Sequence, residues 1–174
     1  MKAKRFLSTV LSICLAVLTL FSFVGCGEKD PVKEALSKGK KIPYVESSVN
    51  LETKVQRLDE RVEKVIRSRE ELLTTINRAI TFQEGKQVAW SKYDDEFFKE
   101  KSLIVCFGGM TDPNMLRKVA GVITQEQMLT VIYTEKDLEP IAVFYGSWSY
   151  YLILEVDKEQ VEAIETVEIQ FIEI

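Results

Sequence analysis

Nineteen consecutive residues without a charge, 6–24, stand between Lys2, Lys4 and Arg5 on one side and Gly25-Cys26 on the other. A positive start, an apolar run and a small residue before a cut describe a secretory signal. The competing reading is an uncleaved anchor, since residues 6–25 are long enough to cross a bilayer. A cysteine placed where the apolar run stops favours processing. Either way the remainder lies outside the cytoplasm, and the fold must be built without the first 25 residues.

The tetrapeptide Phe23-Val24-Gly25-Cys26 resembles the lipobox of bacterial lipoproteins. Phe23 and Val24 replace the usual Leu and Ala or Ser, so the match rests on Gly25, Cys26 and their position. The resemblance implies that the Cys26 thiol carries diacylglycerol. It would hold the protein on the extracytoplasmic face of a bacterial cell membrane. Removing residues 1–25 takes three positive charges and no negative ones. That leaves 20 basic against 27 acidic side chains, a net −7. Cys14 leaves with the signal and Cys26 goes to lipid. Cys106 remains, inside the apolar run Leu103-Ile104-Val105-Cys106-Phe107, and reads as a buried, inert thiol.

Composition then excludes chemistry. The chain has no histidine, which removes Ser-His-Asp and Cys-His catalysis and HExxH zinc sites. Its cysteines cannot build a four-cysteine zinc site. The acidic balance argues against nucleic acid. Gly108-Gly109 precedes no helix, so it is no phosphate loop. Asp94, Asp95 and Glu96 are adjacent, and neighbours on one short helix point different ways. A carboxylate enzyme would need one of them beside a distant acid such as Asp137. The cluster also lacks the spaced loop of a calcium site. No catalytic residue, cofactor or metal is expected.

Residues 26–42 are polar, with Lys29, Lys33, Lys38, Lys40 and Lys41 diluted by Glu28, Asp30 and Glu34. They read as a flexible tether, and anionic headgroups are a second reading for the lysines. Residues 43–174 read as one domain. Leu51, Val55, Leu58, Val62 and Val65 have helical spacing, so the local pattern predicts a helix there. The β-branched content of 61–67 fits a strand equally well. Ser68 and Glu71 form a capping box ahead of a helix from about 69 to 77. Tyr93 to Lys99 reads as a short helix, and 87–90 as a short extended piece. From residue 102 the pattern turns to strands: 103–107, a hairpin of 116–124 with 128–133, then 148–156, and a last strand around Val167, Ile169 and Phe171. Asp157 with Gln160 reads as a capped turn. The expected fold is α+β: a small, mostly antiparallel β-sheet or partly open barrel with one or two short helices.

Val65-Ile66-Arg67-Ser68-Arg69-Glu70-Glu71-Leu72, then Tyr93-Asp94-Asp95-Glu96-Phe97-Phe98, then the strand 103–107 ending in Gly108-Gly109, resemble the C-terminal domain of PrcB-type proteins. The resemblance covers about residues 62–157. It implies that 61–67 is a strand, and that the domain is a non-catalytic accessory of a secreted or envelope protein such as a protease. The Gly-Gly-Tyr and Pro-Gly segments of that family are absent here. A surface is expected around Met110, Asp112, Asn114 and Met115, with Phe144, Tyr145 and Trp148 from a second loop. The aromatics between 140 and 151 are too many for one face of a strand, so some would serve as anchors or pack beneath the loop. The competing classes are a module binding cell-wall glycan or another small ligand, and a structural envelope lipoprotein.

Overall fold

A computed structural model describes residues 30–49, 51, 54–86, 88, 90–111, 115–137 and 148–174. The lipobox, Cys26, Asp112, Asn114, Phe144 and Tyr145 lie outside the described residues. Residues 31–174 form one compact unit. Among the described residues no helix is long and apolar enough to cross a membrane.

The elements run α1 (Pro31–Leu36), β1 (Lys40–Lys41), β2 (Val45–Glu46), β3 (Val55–Leu58), β4 (Val62–Ile66), α2 (Arg69–Ala79), β5 (Ile80–Phe82), α3 (Phe97–Glu100), β6 (Lys101–Thr111), β7 (Met115–Gln125), β8 (Met128–Asp137), β9 (Trp148–Asp157), α4 (Lys158–Val161) and β10 (Thr166–Glu173). Sheet A has the order β1-β7-β8-β10, and sheet B the order β2-β9-β6-β4. β3 and β5 form a separate ribbon. All pairings are antiparallel except β8 with β10. The class is α+β, as expected, with four short helical segments among the described residues and no closed barrel.

β6 explains the layering. Its residues from Leu103 to Phe107 are fully buried on both faces. Leu103, Val105 and Phe107 meet α2 and the chain around Trp90, Tyr93 and Phe98. Ile104 and Cys106 meet Leu129 and Val131 of sheet A. A strand covered on both sides reads as a continuous apolar run, which is what the sequence shows there.

One open reading is settled and one expectation is corrected. Around 51–66 the helical spacing loses to the strand alternative: β3 and β4 occupy it, and β4 agrees with the strand expected over 61–67. Val62 and Val65, three apart, would share a helical stripe. In β4 they point to opposite faces: Val62 joins the helix-side core and Val65 the inter-sheet core. The chance to fill two cores overrides the local period. The tether expectation fails from Pro31 onward. Pro31 opens α1, where its missing N–H leaves nothing unpaired. Ala35 is buried, and Val32 and Leu36 pack with it on Ile123, Ile132 and Ile172. Lys40 and Lys41 then pair with Thr124 and Ile123.

The helix start at Ser68 matches its reading. Ser68 has extended φ and ψ, and its Oγ accepts from the Glu71 N–H at 3.1 Å. The Glu71 carboxylate reaches back one residue further than a standard box, to the Arg67 N–H at 2.9 Å. Asp157, by contrast, makes no side-chain cap to α4. The Arg67 guanidinium instead fixes this corner, donating to the Val161 carbonyl at 2.8 Å and to the Ile164 carbonyl.

Candidate functional site

Among the described elements the chain passes between the sheets four times, from β1 to β2, β6 to β7, β8 to β9 and β9 to β10, and two of these passages bear on the expected surface. β6 of sheet B is followed by β7 of sheet A, and β8 of sheet A by β9 of sheet B. Register puts both crossings at one end of the sandwich: Thr111 faces Trp148, and Met115 faces Asp137. The backbones at Met110, Met115 and Trp148, three of the expected surface positions, therefore converge there. Sequence spacing alone would not bring residue 148 beside residue 111.

Between the sheets, this end has a distinct lining. Along β8 and β10 the inward positions change from aliphatic (Leu129, Val131, Val167, Ile169) to aromatic (Tyr133, Phe171) and then to charged (Glu135). Tyr133 stacks on Phe171 with ring centroids 5.6 Å apart. Tyr150 of β9 meets Tyr133 at 6.5 Å and Phe171 edge-on at 6.3 Å. The Arg117 guanidinium lies 5.4 Å from the Phe171 ring centre and is ion-paired with Glu135. Arg61 and Glu63 form a second pair, at the start of β4, close enough to Tyr150 to influence its proton.

Gly108 makes room for this cluster. A Cβ there would run into the Tyr150 ring. Partial burial, reinforced by the Glu63 carboxylate, pushes the Tyr150 phenol up to about 12. Burial raises the Tyr133 phenol as well. Both rings are neutral at physiological pH, so they offer flat apolar faces and phenol hydrogen bonds rather than charge. Phe171 stays 39% exposed, which leaves part of the cluster open to a ligand or partner.

The other candidates separate from this end. Asp94 sits ahead of α3, where its carboxylate accepts from the Phe97 N–H at 2.9 Å. Glu96 pairs with Lys99. Both lie near the start of β6, at the opposite end of the sandwich from Asp137, so the carboxylate pairing considered from sequence does not form. Among the described residues no group of three potential ligands could hold a metal. Cys106 is buried, and burial pushes its thiol up, away from the reactive thiolate.

Sequence reading missed a second polar cluster. The Tyr93 ring is fully buried, yet its hydroxyl donates to Glu155 at 2.9 Å and is hydrogen-bonded to the Ser47 hydroxyl. Lys92 pairs with the same Glu155 oxygen at 2.6 Å. This belt ties β2, β9 and the 90–93 turn together, and burial raises the Tyr93 phenol. No local pattern marks it, because its members are 46 and 62 residues apart. Arg117 and Glu135 were equally hidden. The hairpin turn alone would set Arg117 against Lys136; a bulge between Val119 and Gly121 moves the register by one and delivers Glu135.

The aromatic crowding after residue 140 resolves in part. Tyr150 and Tyr151 are adjacent and go to opposite faces, Tyr150 to the inter-sheet core and Tyr151 to the helix-side core. Both are partly buried supports of the core rather than free anchors. No family model, curated protein or solved structure matches this chain.

Proposed function

We propose that this protein is a lipid-anchored, extracytoplasmic binding protein without catalytic activity. It serves as an accessory of a secreted or envelope protein such as a protease. One observation carries the reading: the strand ends at Thr111, Met115, Asp137 and Trp148 come together at one end of the sandwich, beside a partly open cluster of Phe171, Tyr133, Tyr150 and Arg117. Aromatic rings beside an arginine are the side chains most often found at the centre of protein interfaces. A glycan site would favour coplanar rings flanked by amides. Here Tyr150 stands at 60° to Tyr133 and 80° to Phe171, and the flanking groups are ion pairs.

A photo-crosslinking residue in place of Trp148, in the full-length anchored protein, tests this. One protein should be captured stoichiometrically from the intact envelope, and Phe171→Ala should reduce its yield. Failure to recover any stoichiometric protein would overturn the reading. The anchor has its own test: fatty-acid label should enter the wild type and be absent from Cys26→Ala.

A further inference from the structure

Sheet A ends in β10, the longest of the strands that end the two sheets: β1 and β2 have two residues each, β4 has five and β10 has eight. The Thr166 N–H donates to the Gln127 carbonyl at 3.3 Å, and the Ile174 N–H to the Glu135 carbonyl at 2.9 Å. In a strand the N–H and C=O of one residue point to the same side, and successive residues alternate. The even-numbered residues of β10 therefore bond to β8. Val167, Ile169, Phe171 and Glu173 turn their N–H and C=O to the outer edge. Among the described residues no hydrogen bond reaches the backbone of these four.

β4 of sheet B covers only the first part of this edge. Arg67, directly after β4, holds the Val161 and Ile164 carbonyls, so the end of β4 lies by the beginning of β10. The two strands run in opposite directions, and β4 spans about 13 Å against about 23 Å for β10. The second half of β10 therefore extends past β4. Exposure agrees: Val167 is buried, whereas Phe171 and Glu173 are exposed. Natural edges are blunted by lysine, proline or a bulge. β10 contains no lysine and no proline, and its register with β8 is unbroken.

The charged side chains of β10 are Glu168 and Glu173, and among the described residues neither has an ion pair. Glu173 stands opposite Glu135, whose charge Arg117 already holds. Like charges directly opposite on neighbouring strands repel. Arg61 is paired with Glu63, and Lys118 and Lys136 lie on the outer face of sheet A, away from the side of Glu173. An uncompensated carboxylate thus remains at the open edge, two residues from the exposed ring of Phe171.

We propose that the free half of the β10 edge accepts an extended segment of the partner protein as an added strand. The segment presents Lys or Arg opposite Glu173 and an apolar side chain beside Phe171. The backbone groups of Phe171 and Glu173 provide the hydrogen bonds, and alternate side chains provide the selection. This rests on the reading of the protein as a protein binder and adds how the partner is held. A second copy of this chain is the poorer occupant: its β10 would bring two further carboxylates, and residues 26–174 of each copy carry −7.

Substitution at position 173 separates the edge from the fold. Proline there removes an N–H that β8 does not use, so Glu173→Pro and Glu173→Ala should have the same urea midpoint. Both lack the carboxylate and they differ in the N–H. The probe is an eight-residue peptide selected from a displayed library on the full-length acylated protein in detergent micelles. Selected peptides should carry Lys or Arg two positions from an apolar residue. Bound peptide should slow hydrogen exchange at the Phe171 and Glu173 amides at least about tenfold. Glu173→Pro should bind it roughly tenfold more weakly than Glu173→Ala. Failure to select any peptide that protects these amides, or equal binding by the two variants, would overturn the edge. Protection that rises with protein concentration in the absence of peptide would assign the edge to a second copy and overturn the partner segment. Photo-crosslinking from the position of Trp148 in the anchored protein separates this from the broader reading. Equal capture by Glu173→Pro and Glu173→Ala would overturn the edge and leave the protein binder standing. No capture by the wild type would overturn both.

Discussion

The two faces of sheet B are both closed to water, but by different means. The helix-side face of β6 presents Leu103, Val105 and Phe107 to α2 and to the 90–98 segment, with Trp90, Tyr93 and Phe98 as large fillers. The inter-sheet face presents Ile104 and Cys106 to a second sheet made largely of aliphatic side chains, and it ends in the cluster of Tyr133, Tyr150 and Phe171. The first face is sealed by irregular chain whose polar groups must be satisfied one by one, as the Ser47–Tyr93–Glu155 belt does. The second is sealed by regular strands that satisfy each other and can stop abruptly, leaving a partly exposed rim. The partly open aromatic end belongs to the more regular interface, because a sandwich has open ends where its strands run out.

The largest effect should come from the helix-side face. Phe107→Ala should destabilise by about 4 kcal/mol, read as a lower urea midpoint, because a fully buried ring leaves a cavity between rigid neighbours. On the opposite face, Gly108→Ala should cost about 2 kcal/mol by overpacking. It should also push Tyr150 outward, so that its phenol titrates closer to 10 in an ultraviolet pH titration. If Gly108→Ala proves neutral and Tyr150 is unmoved, the rim is loosely packed and the contrast weakens.

A third measurement separates the faces from the helix itself. Ser68→Ala removes the cap of α2 and should cost about 1 kcal/mol. Alkaline titration gives a pH sign. Tyr150 is held protonated up to about 12, above its ordinary 10. The folded state therefore keeps a proton that the unfolded chain releases, and this stabilisation is fully present below pH 10. It should decline as pH rises from 10 to 12, which denaturation midpoints across that window would show. The smallest effect should be Cys106→Val, under about 1 kcal/mol, since the thiol acts as a small apolar filler. Rapid native-state labelling of Cys106 by a thiol reagent would contradict its burial and break the comparison at its centre.

Much of the fold was legible because each of its elements had a local signature. The run from Leu103 to Phe107 announces a strand covered on both faces. Ser68 with Glu71 announces a helix start. The alternation of Val167, Ile169 and Phe171 announces β10. Where the reading failed, a local period competed with a choice between two cores, as at Val62 and Val65, or polarity hid packing, as at Ala35 in α1. The candidate site was legible only as two stretches of chain. That Thr111 pairs with Trp148, and that Arg117 faces Glu135, required the pairing of β6 with β9 and the bulge in β7.

The sequence alone determined which segments are apolar enough to become strands and where α2 begins. It also determined that no imidazole is available for catalysis. These follow from side-chain chemistry and short-range spacing, which need no partner. The tertiary structure decided which face each strand residue takes and which strand ends come together. It also decided that the polar stretch from Pro31 onward packs on sheet A through Ala35, Val32 and Leu36. Those outcomes depend on pairing register between distant strands, where a shift of one residue turns a side chain from one side of the sheet to the other.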